Sequence, residues 1–121
     1  MLDKLQDRVN ANPGLIRRGR FVNATVLIEV GPDPWLVRFV DGRIASLVKG
    51  PFVMATWDFA LRAPAEAWAG FWAAHPRPGF HDLMALIKRR ALRVEGDLQI
   101  FMANLRFFKE VMASLRAGAP A

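Results

Sequence analysis

The spacing of apolar positions changes twice along the chain. Residues 1–10 carry apolar side chains three and four apart, which predicts a short leading helix that Asn12-Pro13-Gly14 ends. The next segments alternate apolar and polar positions or are rich in β-branched residues, as strands are. Asp41-Gly42 fits a two-residue hairpin turn. Because the connections between the predicted strands are short, the pattern favours an antiparallel meander. The four predicted strands of this meander are residues 21–30, 35–40, 43–48 and 55–62.

From Pro64 the apolar spacing becomes helical, with proline at a position that suits a helix start. We predict helices at residues 64–74 and 80–90, separated by a loop rich in proline at residues 75–79. A short fifth strand at residues 92–95 follows, and then a long helix from Leu98 to about Arg116 that Gly96-Asp97 caps. The small and proline-containing tail, residues 117–121, is expected to be disordered.

The predicted last helix is apolar over roughly 220° of its circumference, whereas a helix resting on one sheet needs only about 100°. It therefore faces a second apolar surface besides the sheet. That surface is the two preceding helices, a second copy of the chain, or a bound lipid. Phenylalanine and methionine at this density suit an adaptable cavity wall, and they suit an ordinary core equally.

The composition limits the chain to one folded domain. At 121 residues and 53% hydrophobic content, residues 1–121 form a single globular unit, with a core expected at about 21–116. The longest uncharged run, residues 67–76, is far shorter than the about 20 residues of a membrane-spanning helix. No secretory signal is visible at the N-terminus, so we expect a cytoplasmic protein. Without cysteine and with only two histidines, no metal site or cofactor is predicted.

The net charge of +6 raises the question of an anionic partner. The cations cluster at residues 17–20 and at 88–93, and neither cluster carries the interleaved aromatic side chains on which nucleic-acid bases stack. Nucleic-acid binding is therefore not predicted. The cluster at 88–93 remains open as a solvated helix end or as a contact to phosphate head groups.

Catalysis is not predicted either, because every candidate acid or base has a simpler explanation. Asp41 belongs to a turn, Asp58 falls on the polar side of a strand, and His75 and His81 lie at helix ends. An isomerase pocket of the kind that pairs an aspartate base with a tyrosine hydroxyl is excluded by the absence of tyrosine.

The order of these elements resembles the sterol carrier protein 2 lipid-binding domain. The resemblance lies in the strand and turn at 35–42 (WLVRFVDG), the strand at 55–61 (ATWDFAL), the helix at 64–74, and the segment 92–98 (LRVEGDL). It covers residues 21–115, most of the chain. The chain departs from the family at Ala91, where a glycine is usual, and in lacking a peroxisomal tripeptide at its end, so a bacterial stand-alone member is the better match.

The resemblance implies an α+β fold, with a largely antiparallel sheet of five strands covered by helices and an apolar tunnel between them. It implies a non-catalytic carrier of a sterol, a fatty acid, an acyl-CoA or an isoprenoid quinone intermediate. The sequence leaves open whether the protein is a monomer or a homodimer. The side chains that it places on the cavity wall are Phe71, Trp72, Phe80, Met84, Ile87, Phe101, Leu105, Phe108 and Met112. The cations expected at a lipid head group, or in transient contact with an anionic membrane, are Lys88, Arg89, Arg90 and Arg93.

The second hypothesis is a structural or interaction module. In that case the wide apolar face of the last helix either forms a dimer interface or supports a larger complex, and the contact hides this face without any ligand.

Overall fold

The computed structural model describes residues 1–116, so the predicted disordered tail at 117–121 lies outside the described residues. The strands are β1 Ala24–Val30, β2 Asp33–Val40, β3 Arg43–Lys49, β4 Phe59–Ala63 and β5 Arg93–Gly96. A 3-10 turn at Leu2–Lys4 precedes the first helix. The helices are α1 Leu5–Asn10, α2 Pro13–Arg18, α3 Ala65–Phe71, α4 Leu83–Lys88, α5 Leu98–Ala103 and α6 Leu105–Ala113.

The five strands form one mixed sheet in the order β3-β2-β1-β4-β5. All neighbours are antiparallel except β1 and β4, which run parallel. The predicted five-stranded, largely antiparallel α+β fold is therefore confirmed. The predicted four-strand meander is wrong, because only β1, β2 and β3 follow one another by hairpins. The longer connection at 50–58 lets the chain cross to the far side of β1, as a parallel pair requires.

The turns that set this topology use left-handed backbone conformations. Asp41 and Gly42 have φ angles of 51° and 81°, which confirms the predicted hairpin turn between β2 and β3. Gly31, with φ 59°, begins the turn between β1 and β2. Arg90, with φ 62°, takes the left-handed position between α4 and β5. The turn before the fifth strand thus places its left-handed residue one position before Ala91.

Two strands are shorter than predicted, since β1 begins at Ala24 and β4 at Phe59. Before β1 the chain still turns after α2, where the Val22 amide donates to the Gly19 carbonyl at 2.7 Å. Before β4, Asp58 binds the backbone of Thr25 through both its amide (2.8 Å) and its carboxylate (2.7 Å). Asp58 therefore fixes the point at which β4 joins β1.

The last helix is broken, which corrects the single long helix predicted from Leu98 to Arg116. Asn104 leaves the helical conformation (φ −120°, ψ 28°), and its side-chain amide donates to the Ile100 carbonyl at 3.0 Å. Asparagine competes with a helix in this way because its short side chain bonds nearby backbone groups. As predicted, Asp97 caps the start, accepting from the amides of Gln99 (3.1 Å) and Ile100 (3.3 Å).

Helix α2 is an element that the apolar spacing does not predict. Asn12 caps it by accepting from the Leu15 amide at 3.2 Å, and Pro13 occupies its first turn. Asn12-Pro13 therefore both ends the first helix and starts the second, since proline after a capping asparagine is itself a helix-start signal. The first helices pack Leu2, Leu5, Val9 and Leu15 into the same core as the sheet.

Candidate functional site

Six of the nine predicted wall residues are buried in one continuous hydrophobic core between the sheet and the helices. They are Phe71, Trp72, Phe80, Phe101, Phe108 and Met112. Leu105 and Ile87 are partly buried and pack against that core, whereas Met84 is partly exposed on α4. The structure therefore brings most of the predicted set together.

Phe108 lies at the centre of the part of the core beneath α5 and α6. Its ring centroid is 5.0 Å from that of Phe59, 5.6 Å from Phe39 and 6.3 Å from Phe101. The sheet thus contributes two rings, those of Phe39 and Phe59, that are not among the nine predicted wall residues. The signal was present, because both occupy inward positions of alternating strands. At these separations the rings pack directly against one another.

Trp68 of α3 and Trp72, which directly follows this helix, connect α3 to the sheet and to α6. Trp68 and Trp72 stack with ring centroids 5.2 Å apart. The Trp68 indole donates to the Glu29 carbonyl on β1 at 2.8 Å, and the Trp72 indole donates to the Met112 carbonyl on α6 at 3.0 Å. A buried indole N–H needs such a partner, so both hydrogen bonds fix the position of α3.

Arg116 joins the end of the described chain to the connection between α3 and α4. Its guanidinium donates to the carbonyls of Phe71 (2.9 Å) and His81 (3.2 Å) and stacks on the Phe71 ring at 4.7 Å. Burial lowers the pKa of Arg116 from its usual value, and the nearby Asp82 opposes this shift. The connection is thereby held against α6.

The outer side of α4 carries an open cavity of about 770 Å³, which we call the α4 groove. It contains four of the predicted site residues, two apolar and two cationic. Its lining residues are Gly79, His81, Asp82, Met84, Ala85, Ile87, Lys88 and Arg89. The inner side of the same helix is closed, because Leu83 and Leu86 are fully buried. Helix α4 therefore separates a packed interior from an open apolar groove.

The charges around the α4 groove are predominantly positive. Asp82, its one acidic residue, is paired with Lys109 at 3.2 Å. Lys88 and Arg89 are exposed and have no acidic partner within residues 1–116. The Arg89 guanidinium stacks on the Phe80 ring at 4.4 Å. This contact holds one cation at the groove without neutralising it.

The other two predicted head-group cations lie elsewhere. Arg90 and Arg93 line a separate cavity of about 340 Å³ together with Arg62 and Glu29. Arg62 pairs with Glu29, and its Nε lies 3.2 Å from a Glu95 carboxylate oxygen without hydrogen-bond alignment. Arg93 also approaches Glu95, at 3.6 Å. The charges of Arg62 and Arg93 in this second cavity are therefore balanced by carboxylates, whereas Arg90 has no acidic partner within residues 1–116.

The four residues considered for catalysis are not gathered around a cavity with a nucleophile. Asp41 is in the hairpin turn, Asp58 binds the Thr25 amide, and His75 and His81 are exposed. In the part of the chain that the structure describes, no group of three or more His, Cys, Asp or Glu side chains is arranged to hold a metal ion. Across residues 1–116, no helix has the length and apolar character needed to cross a membrane.

The fold is similar to several solved structures. A crystal structure of sterol carrier protein 2 aligns with a TM-score of 0.77 at 12% identity, covering 95% of this chain and 92% of that one. The UbiJ-SCP2 ubiquinone synthesis protein aligns at 0.61 and 20% identity, covering 98% and 89%. Sterol carrier protein 2 like 2 from Aedes aegypti aligns at 0.53 and 18% identity, covering 86% and 88%.

Comparison of the sequence itself gives no match to a protein-family model and no significant match to a curated protein. At these low identities, the structural likeness shows the fold alone. The fold that the sequence motifs predicted is confirmed.

Proposed function

We propose that this chain, which has the sterol carrier protein 2 fold, binds an apolar lipid without catalysing any reaction on it. The likeness to sterol carrier protein 2 over nearly the whole of both chains is the observation that carries the proposal. The driving force is burial of the ligand, at roughly 25 cal/mol per Å² of apolar surface removed from water. The protein would hold the apolar molecule non-covalently, away from water.

The proposed binding region lies between the sheet and the helices, where the predicted wall residues gather. The interior portion comprises Phe71, Trp72, Phe80, Phe101, Leu105, Phe108 and Met112, with Met84 and Ile87 on the outer side of α4. Because the rings around Phe108 are in direct contact, entry of a lipid requires side chains or helices to move apart. Met112 is suited to such repacking, since its side chain is unbranched and flexible.

The ligand classes in this proposal are sterols, fatty acids, acyl-CoA and isoprenoid quinone intermediates. The likeness to a ubiquinone synthesis protein supports including the quinones. Apolar walls discriminate weakly between ligands that differ by a methylene or two, so the choice among these classes needs a measurement. The cytoplasmic location, the bacterial source and the transient anionic membrane contact stay predictions.

The test is native mass spectrometry of the protein purified from its own cells, followed by organic extraction and identification of the extracted molecule. We expect a mass increment that corresponds to one apolar lipid per chain. A protein that purifies empty and takes up none of the four lipid classes when they are offered in solution contradicts the proposal.

The alternative of a dimerising module receives less support from the structure than from the sequence. The break at Asn104 lets both halves of the last helical region turn apolar residues toward the core, with Phe101, Phe107, Phe108, Val111 and Met112 buried. Leu98 and Met102 are the large apolar side chains of α5 and α6 that remain exposed, at 49% and 51%. Mass measured against protein concentration tests the alternative, which predicts a dimer without ligand.

A further inference from the structure

We propose that the free edge of β5 is a homodimer interface, at which β5 of one chain pairs antiparallel with β5 of a second copy. The two sheets then continue into one another across a two-fold axis at Val94. The inference goes beyond the proposed lipid binding and does not depend on it. It also differs from a dimer built on the last helices, because backbone groups of a strand form the contact.

Strand β5 presents outward backbone groups. The strand order places it at one edge of the sheet, and in the described part of the chain β4 is the element that packs along it. The Asp97 amide donates to the Asp58 carbonyl at 2.7 Å, and hydrogen-bonded pairs alternate along an antiparallel ladder. In the observed register, the backbone groups of Arg93 and Glu95 therefore face β4, whereas those of Val94 face outward. An outward row of this kind is a template for a further strand.

The order of charges along β5 is complementary to itself. With Val94 on the axis, Arg93 lies opposite Glu95 of the second copy, and the same pair repeats on the other side of the axis. Opposite charges stabilise such cross-strand pairs. An axis at residue 93 would bring two arginines face to face, and an axis at residue 95 two glutamates. Both side chains are accessible, with exposures of 72% and 44%. The charges therefore select a second copy of this strand in one register.

The helix-covered face of the sheet adds an apolar contact at the same edge. Val94 packs partly against the core, so its side chain lies on this face. On α5, Phe101 packs against Phe59 of β4 at 5.4 Å. Ile100 packs against the core on one flank of α5, which leaves Leu98 on the flank toward the sheet edge. Leu98 is 49% exposed, and in the dimer it meets apolar side chains of the second copy.

The first experiment measures the mass of the full chain by sedimentation equilibrium over a range of concentrations. Because β5 has only four residues, the interface is small, and we expect half of the chains to be dimeric at about 0.1 mM. Hydrogen exchange of the Val94 amide should slow as the concentration rises, because this amide gains a partner. The amides of Arg93 and Glu95, which already face β4, should change much less.

Val94→Pro tests the backbone contact. Proline lacks an amide hydrogen, and at this position the missing hydrogen faces outward, so the hydrogen bonds to β4 are kept. We expect the dissociation constant of the dimer to rise by at least about tenfold. Val94→Ala is the matched control, since it shortens the same side chain but keeps the amide, and it should still dimerise. Thermal unfolding at low concentration checks that both variants are folded.

Arg93→Glu tests the register without touching the backbone. It places carboxylates opposite one another on both sides of the axis and should weaken the dimer about tenfold. Adding Glu95→Arg should restore the dimer, because each new charge again lies opposite its complement. Arg62 lies opposite residue 93 on β4 and keeps an acidic neighbour in the double variant. Arg43→Glu, at an exposed position of β3, makes the same change in net charge and is the control.

A mass of one chain at every concentration up to about 1 mM would overturn the proposal. So would a dimer that Val94→Pro leaves intact, or one that forms while the Val94 amide exchanges at an unchanged rate, since the contact would then lie on another surface such as the last helices. A double charge variant that stays monomeric would overturn the register. Failure of lipid binding gives a different result, because a chain that purifies without lipid should still form this dimer.

Discussion

The interior beneath α5 and α6 and the α4 groove are both lined by apolar side chains, yet they differ in packing and in charge. In the interior, aromatic rings lie 5.0–6.3 Å apart around Phe108. In the groove, Met84 and Ile87 are partly exposed beside two cations. Any molecule entering the interior would have to replace contacts that already exist there, whereas the side chains of the groove already face solvent. The same type of side chain therefore serves stability in one region and is left partly exposed in the other.

The largest expected effect tests the packed region. Phe108→Ala should lower the free energy of unfolding by about 3–5 kcal/mol, because it leaves a cavity among rings from both the sheet and the helices. Urea unfolding at equilibrium measures this loss. Met102→Ala, at a half-exposed position on α5, is the control and should change stability by less than about 0.5 kcal/mol. Similar losses in the two variants would show that the interior is not tightly packed.

The second prediction separates the polar part of an interior contact from its packing. Trp72→Phe keeps an aromatic ring but removes the indole N–H that donates to Met112, leaving a buried carbonyl unpaired. We expect a loss of about 1–3 kcal/mol in the free energy of unfolding. Trp57→Phe, at a partly exposed position, is the matched control. If both variants lose the same stability, the hydrogen bond to Met112 does not anchor α3.

The third prediction concerns the helix that closes one side of the packed interior. Asp97→Ala removes the cap that binds the amides of Gln99 and Ile100, at a cost of about 1 kcal/mol in the free energy of unfolding. Asp97→Ser should recover most of that loss, because serine is an equally good capping residue. An Asp97→Ser variant as unstable as Asp97→Ala would mean that the carboxylate acts in some other way.

The smallest expected effect on stability comes from the open region. Met84→Ala should lower the free energy of unfolding by less than about 1 kcal/mol, because the side chain is already partly exposed. It should nevertheless weaken the uptake of a fluorescent fatty acid, measured per folded molecule. Unchanged uptake per folded molecule would remove Met84 from the binding site and leave it as an ordinary surface residue.

Local chemistry made several elements predictable from the sequence. Asp41-Gly42 permits the left-handed turn that a hairpin needs, and Asp97 carries the side chain that caps a helix. Alternation identified the strands, although the exact start of β4 depends on the Asp58 contacts with Thr25, which are distant in sequence. The parallel pairing of β1 with β4 is also non-local, so alternation alone could not predict it.

The candidate site was predictable in composition but not in geometry. Apolar periodicity selected Phe108 and Met84 alike, because it reports that a face is apolar and not what lies opposite that face. The run at 88–93 looked like one basic cluster. The left-handed turn at Arg90 ends α4, and the structure then places Arg89 and Arg93 on different cavities. Predicting this separation requires knowledge of the backbone path, which the order of charges along the sequence does not give.

The side chains of α1 have a consequence for how the sheet ends. Asn10 accepts from the Ile44 amide at 2.9 Å and donates to the Ile44 carbonyl at 3.0 Å, and Gln6 also donates to that carbonyl at 3.2 Å. These two amides occupy the backbone groups that an additional strand would use at this point of the outer strand β3. The first helix therefore blocks this point of β3 from pairing with a strand of another molecule, which is a hazard of every open sheet edge.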